Sequence, residues 1–178
     1  MGRFLFRYRS ITPIPIIVSA CVFQADPIWL GAVLLVIGEA IRLLAVSVIG
    51  GISRTREDII GPLCTDGIFS LSRNPLYIGN LLLWMGFLLL CGNLVIMMCS
   101  VLFLWVQYQA IICWEETMLL QIHKERYVEY CQKTNRYFSV RSYQPAVHKN
   151  SGVILRSERG TLLTISGMLL VIGWIQCI

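Results

Sequence analysis

Charged side chains are scarce in this chain. Lys, Arg, Asp and Glu make up 14% of its 178 residues, whereas a soluble domain carries about 25%. Hydrophobic residues reach 56% and the mean hydropathy is +0.68. The same numbers exclude a disordered, collagen-like or coiled-coil chain. The composition therefore predicts a small polytopic membrane protein, and the length predicts a single domain over residues 1–178.

The spacings of metal sites and disulfide frameworks are also missing from the sequence. Its seven cysteines are scattered, with no C-x-x-C pair and no histidine at metal-ligand spacing. Because structural zinc sites and disulfide frameworks depend on such spacings, we predict neither, and no metal. Most of these cysteines are expected to fill apolar contacts against helices or lipid.

Five apolar stretches are candidates for membrane spans, each of which takes about 20 residues as a helix. They cover residues 11–25, 28–50, 76–91, 94–114 and 161–178. We interpret the first as an uncleaved helix and not as a cleaved signal. Asp26-Pro27 predicts a tight helical hairpin, and Gly92-Asn93 is a turn dipeptide. The predicted fold is an all-α, polytopic membrane bundle of about five transmembrane helices.

Basic residues fall on one side of these spans. Three precede the first span, three lie in 51–75, eight lie in 115–160, and Arg42 lies inside the second span. The short turns on the opposite side carry none. By the positive-inside rule, the N-terminus and both basic segments are cytoplasmic and the C-terminus is on the far side. The net charge of +5 is then a topology signal, and we predict no nucleic-acid partner.

Two cytoplasmic segments hold nearly all of the unusual polar residues. The first contains turn signals and then Arg73-Asn74-Pro75-Leu76-Tyr77 at the start of the third span. Pro75 suits the first turn of a helix, and Asn74 suits the N-cap. A helix start offers unpaired N–H groups and a positive dipole end, so it can hold a carboxylate or phosphate. On spacing alone, an ordinary capped helix with an interfacial Arg and Tyr is the simpler interpretation.

The second cytoplasmic segment begins with Glu115-Glu116 at the end of the fourth span. Adjacent residues point about 100° apart on a helix, so one carboxylate can face a site while the other faces water. The pair equally marks the point where the helix leaves the membrane, because carboxylates are expensive to bury there. The residues that follow predict an amphipathic helix that continues from the span or lies along the interface.

Glu39 and Arg42 share one face of the second span because they are spaced i,i+3. Charged residues inside a span usually pair and face the bundle or a cavity. We favour a structural ion pair over a role in substrate binding.

Together, these segments resemble the isoprenylcysteine carboxyl methyltransferase family and its phospholipid methyltransferase relatives, as a bacterial-type member. The resemblance covers residues 38–141 and rests on four features. They are Arg73-Asn74-Pro75-Leu76-Tyr77-Ile78-Gly79 for R-(H/N)-P-x-Y-x-G, Thr65-Asp66-Gly67-Ile68-Phe69 for an upstream T-x-G-x-(Y/F) turn, the Glu115-Glu116 pair, and an aromatic and basic stretch with Tyr127, Tyr130 and Arg136.

The resemblance implies a membrane methyltransferase with a cytoplasmic pocket for S-adenosylmethionine and a lipidic substrate that enters from the bilayer. It implies a catalytic role for Glu115 and Arg73. It maps the cofactor contacts onto Gly61, Pro62, Leu63, Cys64, Gly67, Phe69, Asn74, Pro75, Leu76, Tyr77, Glu115 and Glu116. The helix at 161–178 lies outside the family's core pattern.

Two positions depart from the eukaryotic prenylcysteine enzymes. Those enzymes have His where this chain has Asn74, and Asn keeps a donor and an acceptor without titrating near neutral pH. They also carry an Arg one turn before the glutamate pair, where this chain has Ile111. The residues that offer a replacement cation for the substrate are Arg54, Arg56, Arg136 and Arg141.

The predicted function is methyl transfer from S-adenosylmethionine, which becomes S-adenosylhomocysteine, to a small lipophilic or lipid-linked acceptor at the cytoplasmic face of a bacterial inner membrane. The enzyme mainly aligns a nucleophile about 3–3.5 Å behind an already electrophilic methyl group and excludes water. Nearby arginines favour an anionic acceptor, so O-methylation of an isoprenylcysteine-like carboxylate is favoured. The alternatives are phospholipid N-methylation, lipid-phosphate methylation, a sterol-type reductase, and a membrane scaffold or transporter subunit.

Overall fold

The computed structural model describes residues 2–8, 11–23, 25–50, 62–140, 143–147 and 151–176. In these residues the chain forms six α-helices and no strand, which confirms the all-α prediction. A 3-10 turn at Ile68–Ser70 precedes the fourth helix. The helices are α1 (Gly2–Tyr8), α2 (Ile14–Val22), α3 (Leu30–Ile49), α4 (Pro75–Leu90), α5 (Leu94–Lys133) and α6 (Ser151–Gln176).

Two helices in the described part of the chain, α3 and α5, are long and apolar enough to cross a membrane. Helix α4 is apolar but has 16 residues. Helix α2 has nine residues, where a full crossing needs about 20. The prediction of five crossings is therefore supported at two helices and stays a prediction for the others.

Helices α3 and α4 make the most extensive helix contact in the described structure. Two glycine pairs face each other there, Gly31 with Gly86 and Gly38 with Gly79. A methyl group added to Gly38 would lie 2.9 Å from the Gly79 carbonyl oxygen. Small residues let membrane helices approach closely, so that packing replaces the hydrophobic effect that lipid does not supply. The last residue of the R-N-P-L-Y-I-G motif is therefore part of this contact.

The connection between α2 and α3 is not the tight hairpin that Asp26-Pro27 predicted. Helix α2 packs mainly against α5, whereas α3 packs against α4. The backbone N–H groups of Ala25 and Ile28 donate to the carbonyl oxygens of Cys91 and Leu89, each at 3.0 Å. The connection is longer than predicted because it satisfies carbonyl groups near the C-terminal end of α4.

The Gly92-Asn93 turn between α4 and α5 is confirmed. Gly92 has a φ of 78°, a left-handed conformation that glycine adopts without strain. Asn93 is the N-cap of α5, and its Oδ1 accepts the N–H of Ile96 at 3.1 Å. Its Nδ2 donates to the carbonyl of Phe23 at 3.0 Å, which joins the two turns on this side.

Helix α5 continues past the fourth predicted span, as the amphipathic pattern indicated. It spans 40 residues and is kinked at Lys124, which has a φ of 44° and a ψ of −118°. In the part after the kink, Tyr127 and Tyr130 are buried and most charged residues are exposed.

Helix α6 begins at Ser151, earlier than the predicted span at 161–178. Its N-terminal turns pack against α3 and bring the buried residue Glu158 into the helix contact. The predicted span missed these turns because Arg156, Glu158 and Arg159 interrupt the apolar pattern.

Candidate functional site

The two polar segments singled out in the sequence lie against each other at the start of α4. The backbone N–H of Arg73 donates to the carbonyl of Asn135 at 3.1 Å, and that of Ser139 donates to the carbonyl of Leu71 at 2.8 Å. Backbone pairing of this kind positions side chains more firmly than contacts between exposed side chains alone. The segment after α5 therefore forms one wall of the region where α4 begins.

The predicted turn upstream of α4 is present and is also held by the second segment. Gly67 has a φ of 61°, and its N–H donates to the carbonyl of Gln144 at 2.7 Å. The hydroxyl of Tyr130 on α5 donates to the carbonyl of Phe69 at 2.7 Å. Burial raises the pKa of this hydroxyl above its ordinary value, so it stays protonated and able to donate.

Glu116 on α5 bridges two arginines, one from each segment. Arg73 Nη2 donates to Glu116 Oε1 at 2.9 Å, and Arg136 Nε donates to the same oxygen at 3.2 Å. Arg136 Nη2 donates to Glu116 Oε2. The side chains of Glu116 and Arg73 are 15% and 14% exposed, and that of Arg136 is 35% exposed. We call these three residues the Glu116 cluster.

Two electrostatic effects follow from the position of Glu116. Its hydrogen bond raises the pKa of the Arg136 guanidinium, which keeps that group charged. Burial and then the charge of Glu116 raise the pKa of the Tyr127 hydroxyl, which is 4% exposed as a residue. The neighbouring tyrosine is therefore neutral, so its hydroxyl can serve as a donor beside the cluster.

Asn74 is the N-cap residue of α4, which confirms the prediction, but its side chain makes no capping hydrogen bond. Its side-chain Nδ2 donates to the carbonyl of Arg136 at 3.3 Å. Ser72 Oγ donates to the same carbonyl at 3.3 Å and accepts the backbone N–H of Asn74 at 3.1 Å. The Asn74 amide makes no capping hydrogen bond because it points to the segment after α5, where it holds the backbone of Arg136.

Arg73 keeps one donor without an acceptor. Its Nε is buried and has no hydrogen-bond partner among the described residues. An unsatisfied buried donor costs about 1–3 kcal/mol, a penalty that a bound group with an acceptor oxygen would remove. The start of α4 lies directly after this residue, and no side chain caps it. The arrangement suits an anionic group of a ligand.

Direct contacts join four of the sequence-predicted residues, Arg73, Asn74, Glu116 and Arg136, and Phe69 joins them through Tyr130. The others are near in sequence but stay predictions as contacts. Pro75 and Gly67 are buried, Leu63, Cys64, Leu76, Tyr77 and Glu115 are half-buried, and Pro62 is exposed. The Tyr77 ring packs against Tyr108 at 5.3 Å between centroids. Gly61, Arg54, Arg56 and Arg141 lie outside the described residues.

Several residues of the site were not predicted from the sequence. Ser72, Asn135 and Ser139 hold the two segments together through backbone groups. Asn135 is a typical turn residue, which was the available signal. Ile111, which stands where the eukaryotic prenylcysteine enzymes carry an arginine, is fully buried.

A surface depression of about 580 Å³ lies on the part of α5 around and after the kink. None of the predicted site residues lines it, so it is not the predicted cytoplasmic cofactor pocket, which stays a prediction. Its lining residues are Leu120, Lys124, Glu125, Val128, Glu129 and Gln132.

Comparison with known proteins agrees with the motif. The model of the phospholipid methyltransferase family matches residues 27–126, which include Arg73, Asn74 and Glu116. Two curated proteins described as probable protein-S-isoprenylcysteine O-methyltransferase, from Oryza sativa subsp. indica and subsp. japonica, are each 32% identical over 111 residues. The match covers 60% of this chain, and the chain spans 58% of the length of these relatives. No solved structure matches.

Proposed function

Because the chain belongs to the phospholipid methyltransferase family, we propose that it is an integral membrane methyltransferase that transfers a methyl group from S-adenosylmethionine to a lipophilic or lipid-linked acceptor. The observation that carries the proposal is the bridge from Glu116 to Arg73 and Arg136. The bridge lies at the uncapped start of α4. It joins Arg73 and Glu116, which lie inside the family match, to Arg136, which lies beyond it. The proposed partners are membrane lipids and a small lipid-linked substrate.

The residues present fit the cofactor. S-Adenosylmethionine ends in an amino acid, and its carboxylate supplies the acceptor that the buried Nε of Arg73 needs. In the first turn of α4, Pro75 has no N–H and the N–H groups of Tyr77 and Ile78 donate to the Asn74 carbonyl, so the turn adds the N–H of Leu76 and a positive dipole end. Glu115, half-buried beside Glu116, suits the ammonium or the ribose hydroxyls. When bound, the cofactor supplies an electrophilic methyl group, and the chain binds, orients and excludes water.

Arg136 suits the acceptor. Its side chain is the most exposed of the Glu116 cluster, and its carbonyl is held by Asn74 and Ser72. A guanidinium presents a planar set of donors that matches a carboxylate or a phosphate. We therefore propose a carboxylate acceptor, and the descriptions of the two Oryza sativa relatives, which name an S-isoprenylcysteine O-methyltransferase, support an oxygen acceptor of this kind.

Methylation of a phospholipid is the second candidate function, because the matching family model carries that name. Its acceptor is an amine or a phosphate. In both cases α3 and α5 cross the membrane and the Glu116 cluster faces the cytoplasm, on the side of the basic segments. The bacterial inner membrane stays a prediction from the sequence.

The test is transfer of a labelled methyl group from S-adenosylmethionine into a total lipid extract by the purified protein. Glu115→Gln removes one charge beside the cluster. Glu129→Gln is the matched control, because Glu129 is exposed on the same helix and pairs with Lys133 one turn away. Label that Glu115→Gln loses, Glu129→Gln keeps and mild base releases supports a carboxyl ester.

Label that is stable to mild base would move the assignment to an amine or a phosphate. A protein that neither transfers label nor binds the cofactor would overturn the proposed function.

A further inference from the structure

A second group of charged residues lies within the helix contacts, away from the Glu116 cluster. Arg42 Nη2 on α3 donates to the two carboxylate oxygens of Glu158 on α6, at 3.0 and 2.8 Å. It also donates to Thr161 Oγ1 at 3.1 Å. Arg42 Nη1 donates to Asn80 Oδ1 on α4. We call these four residues the Arg42 cluster, and it joins three helices.

The Arg42–Glu158 pair at the centre of the cluster is almost closed to solvent. Glu158 is 0% exposed and Arg42 is 9% exposed. Glu39 lies on the same side of α3, with its Oε2 at 3.8 Å from Arg42 Nε, so the predicted i,i+3 ion pair is present. A buried ion pair adds little net stability, because desolvation offsets the attraction, but it strongly disfavours arrangements that separate its charges. Sliding α6 by one turn would leave Glu158 and Arg42 unpaired.

Arg42 also touches the helix that carries the family motif. A methyl group added to Gly79 would lie 2.6 Å from Arg42 Cγ, so the arginine stem packs directly on this motif glycine. Asn80, which accepts from Arg42, is the next residue of α4. Helix α4 begins at Pro75, directly after the arginine and asparagine of the motif. Holding Gly79 and Asn80 therefore holds the start of α4.

We infer that Glu158 is a positioning residue for the Glu116 cluster. Its buried carboxylate keeps Arg42 against Gly79 and Asn80. This contact fixes the position of α4 along its axis, and with it the position of Arg73 relative to Glu116. Helix α6 lies beyond the family match at 27–126, so a helix outside the matched region supports the site in this chain. The inference rests on the proposed function, because it concerns ligand affinity at the same site.

The test is calorimetric titration of S-adenosylmethionine into the full-length protein in detergent, for the wild type, Glu158→Gln and Arg159→Gln. Arg159 is the matched control, because it is a charged but exposed residue on the same turn of α6. Coupling between such sites typically amounts to about 0.5–2 kcal/mol, so we expect Glu158→Gln to raise the dissociation constant about 2- to 30-fold. Arg159→Gln should leave it unchanged.

The binding stoichiometry separates positioning from a merely structural role. Positioning raises the dissociation constant while each folded molecule still binds one cofactor. Loss of folded protein lowers the stoichiometry and leaves the dissociation constant of the remainder unchanged. An unchanged constant in folded Glu158→Gln would overturn the inference, and absence of binding by the wild type would overturn the proposed function instead.

A second variant covers the case in which Glu158→Gln does not fold. Thr161→Val removes a single hydrogen bond to Arg42 and keeps the charge pair. We expect a smaller increase in the dissociation constant at full stoichiometry. If Thr161→Val binds the cofactor as tightly as the wild type, the inference is wrong.

Discussion

The two charged clusters of this protein have opposite compositions and different access to solvent. In the Glu116 cluster, one carboxylate lies between two guanidiniums, and the side chains are 14–35% exposed. In the Arg42 cluster, one guanidinium lies near the carboxylates of Glu39 and Glu158, and Glu158 is completely buried. In each cluster one guanidinium Nε, that of Arg73 and that of Arg42, is buried without a hydrogen-bond partner among the described residues. The clusters differ in the exposure of their other members, because the Arg136 side chain is 35% exposed and that of Glu158 is 0% exposed.

Similar ion pairs therefore serve different purposes in the Glu116 cluster and the Arg42 cluster. A charge pair that is partly exposed and has an unsatisfied donor can exchange a contact for a ligand. A charge pair whose carboxylate is completely buried between helices mainly defines how those helices are arranged. The proposed function assigns ligand binding to the Glu116 cluster and helix position to the Arg42 cluster.

Replacing Glu116 by Gln should have the largest effect. It leaves Arg73 and Arg136 as neighbouring like charges without their carboxylate. Truncating one member of a largely buried, hydrogen-bonded charge pair costs about 2–5 kcal/mol, so we expect cofactor affinity to fall about 30-fold or more. Calorimetric titration measures the effect, and Glu129→Gln is the control. Equal affinity in both variants would show that the cluster is not the cofactor site.

Replacing Gly79 by Ala should have the next largest effect and tests the helix contact. The added methyl group would lie 2.6 Å from Arg42 Cγ and 2.9 Å from the Gly38 carbonyl oxygen. Overpacking of this kind costs about 1–3 kcal/mol. The unfolding free energy, measured by SDS titration in mixed micelles, should fall by that amount.

Gly167→Ala is the matched control for the glycine variant. Gly167 is a helical glycine of α6 with no atom within 4 Å of an added methyl group. Alanine there should stabilise the helix by about 0.5–1 kcal/mol. A destabilisation of similar size in both variants would contradict the close contact of α3 with α4.

Replacing Tyr130 by Phe should have the smallest effect at neutral pH. It removes the hydrogen bond to the Phe69 carbonyl and should lower the unfolding free energy by about 1 kcal/mol. Burial raises the pKa of Tyr130 above its unfolded value of 10.0. The stabilisation by neutral Tyr130 is therefore fully present below that value and is lost as the pH rises through the folded pKa.

The pH dependence of the unfolding free energy follows from the direction of this pKa shift. The difference in unfolding free energy between the wild type and Tyr130→Phe should shrink as the pH rises above the unfolded value of 10.0. The exposed Tyr137 supplies the control variant Tyr137→Phe, which should follow the wild type. A constant difference across the alkaline range would show that the buried hydroxyl does not titrate differently in the two states.

The sequence was sufficient for residues whose neighbours are local or whose pattern is shared by a family. Local pattern alone marks the motif around Arg73, the glutamate pair and Arg136. The start of α4 at Pro75 followed from the conformational preference of proline. The first resemblance was to a methyltransferase family, and the family model confirms it.

The sequence was insufficient where distant residues decide the outcome. The N-cap position of Asn74 was predicted correctly, but not the hydrogen bond from its amide to the Arg136 carbonyl, 62 residues later in the chain. The role of Glu158 was missed because its partner Arg42 lies 116 residues away. No local pattern marks either contact, since both depend on how separate elements pack.

The most direct test of the account is a comparison of S-adenosylmethionine with its decarboxylated analogue, titrated into the wild type and Arg73→Lys. The analogue lacks the carboxylate that we assign to the buried Nε of Arg73. The account predicts that the wild type binds S-adenosylmethionine more tightly than the analogue, and that Arg73→Lys loses most of this preference because lysine has no second planar donor. Equal binding of both compounds by the wild type, or binding of neither, would contradict the account.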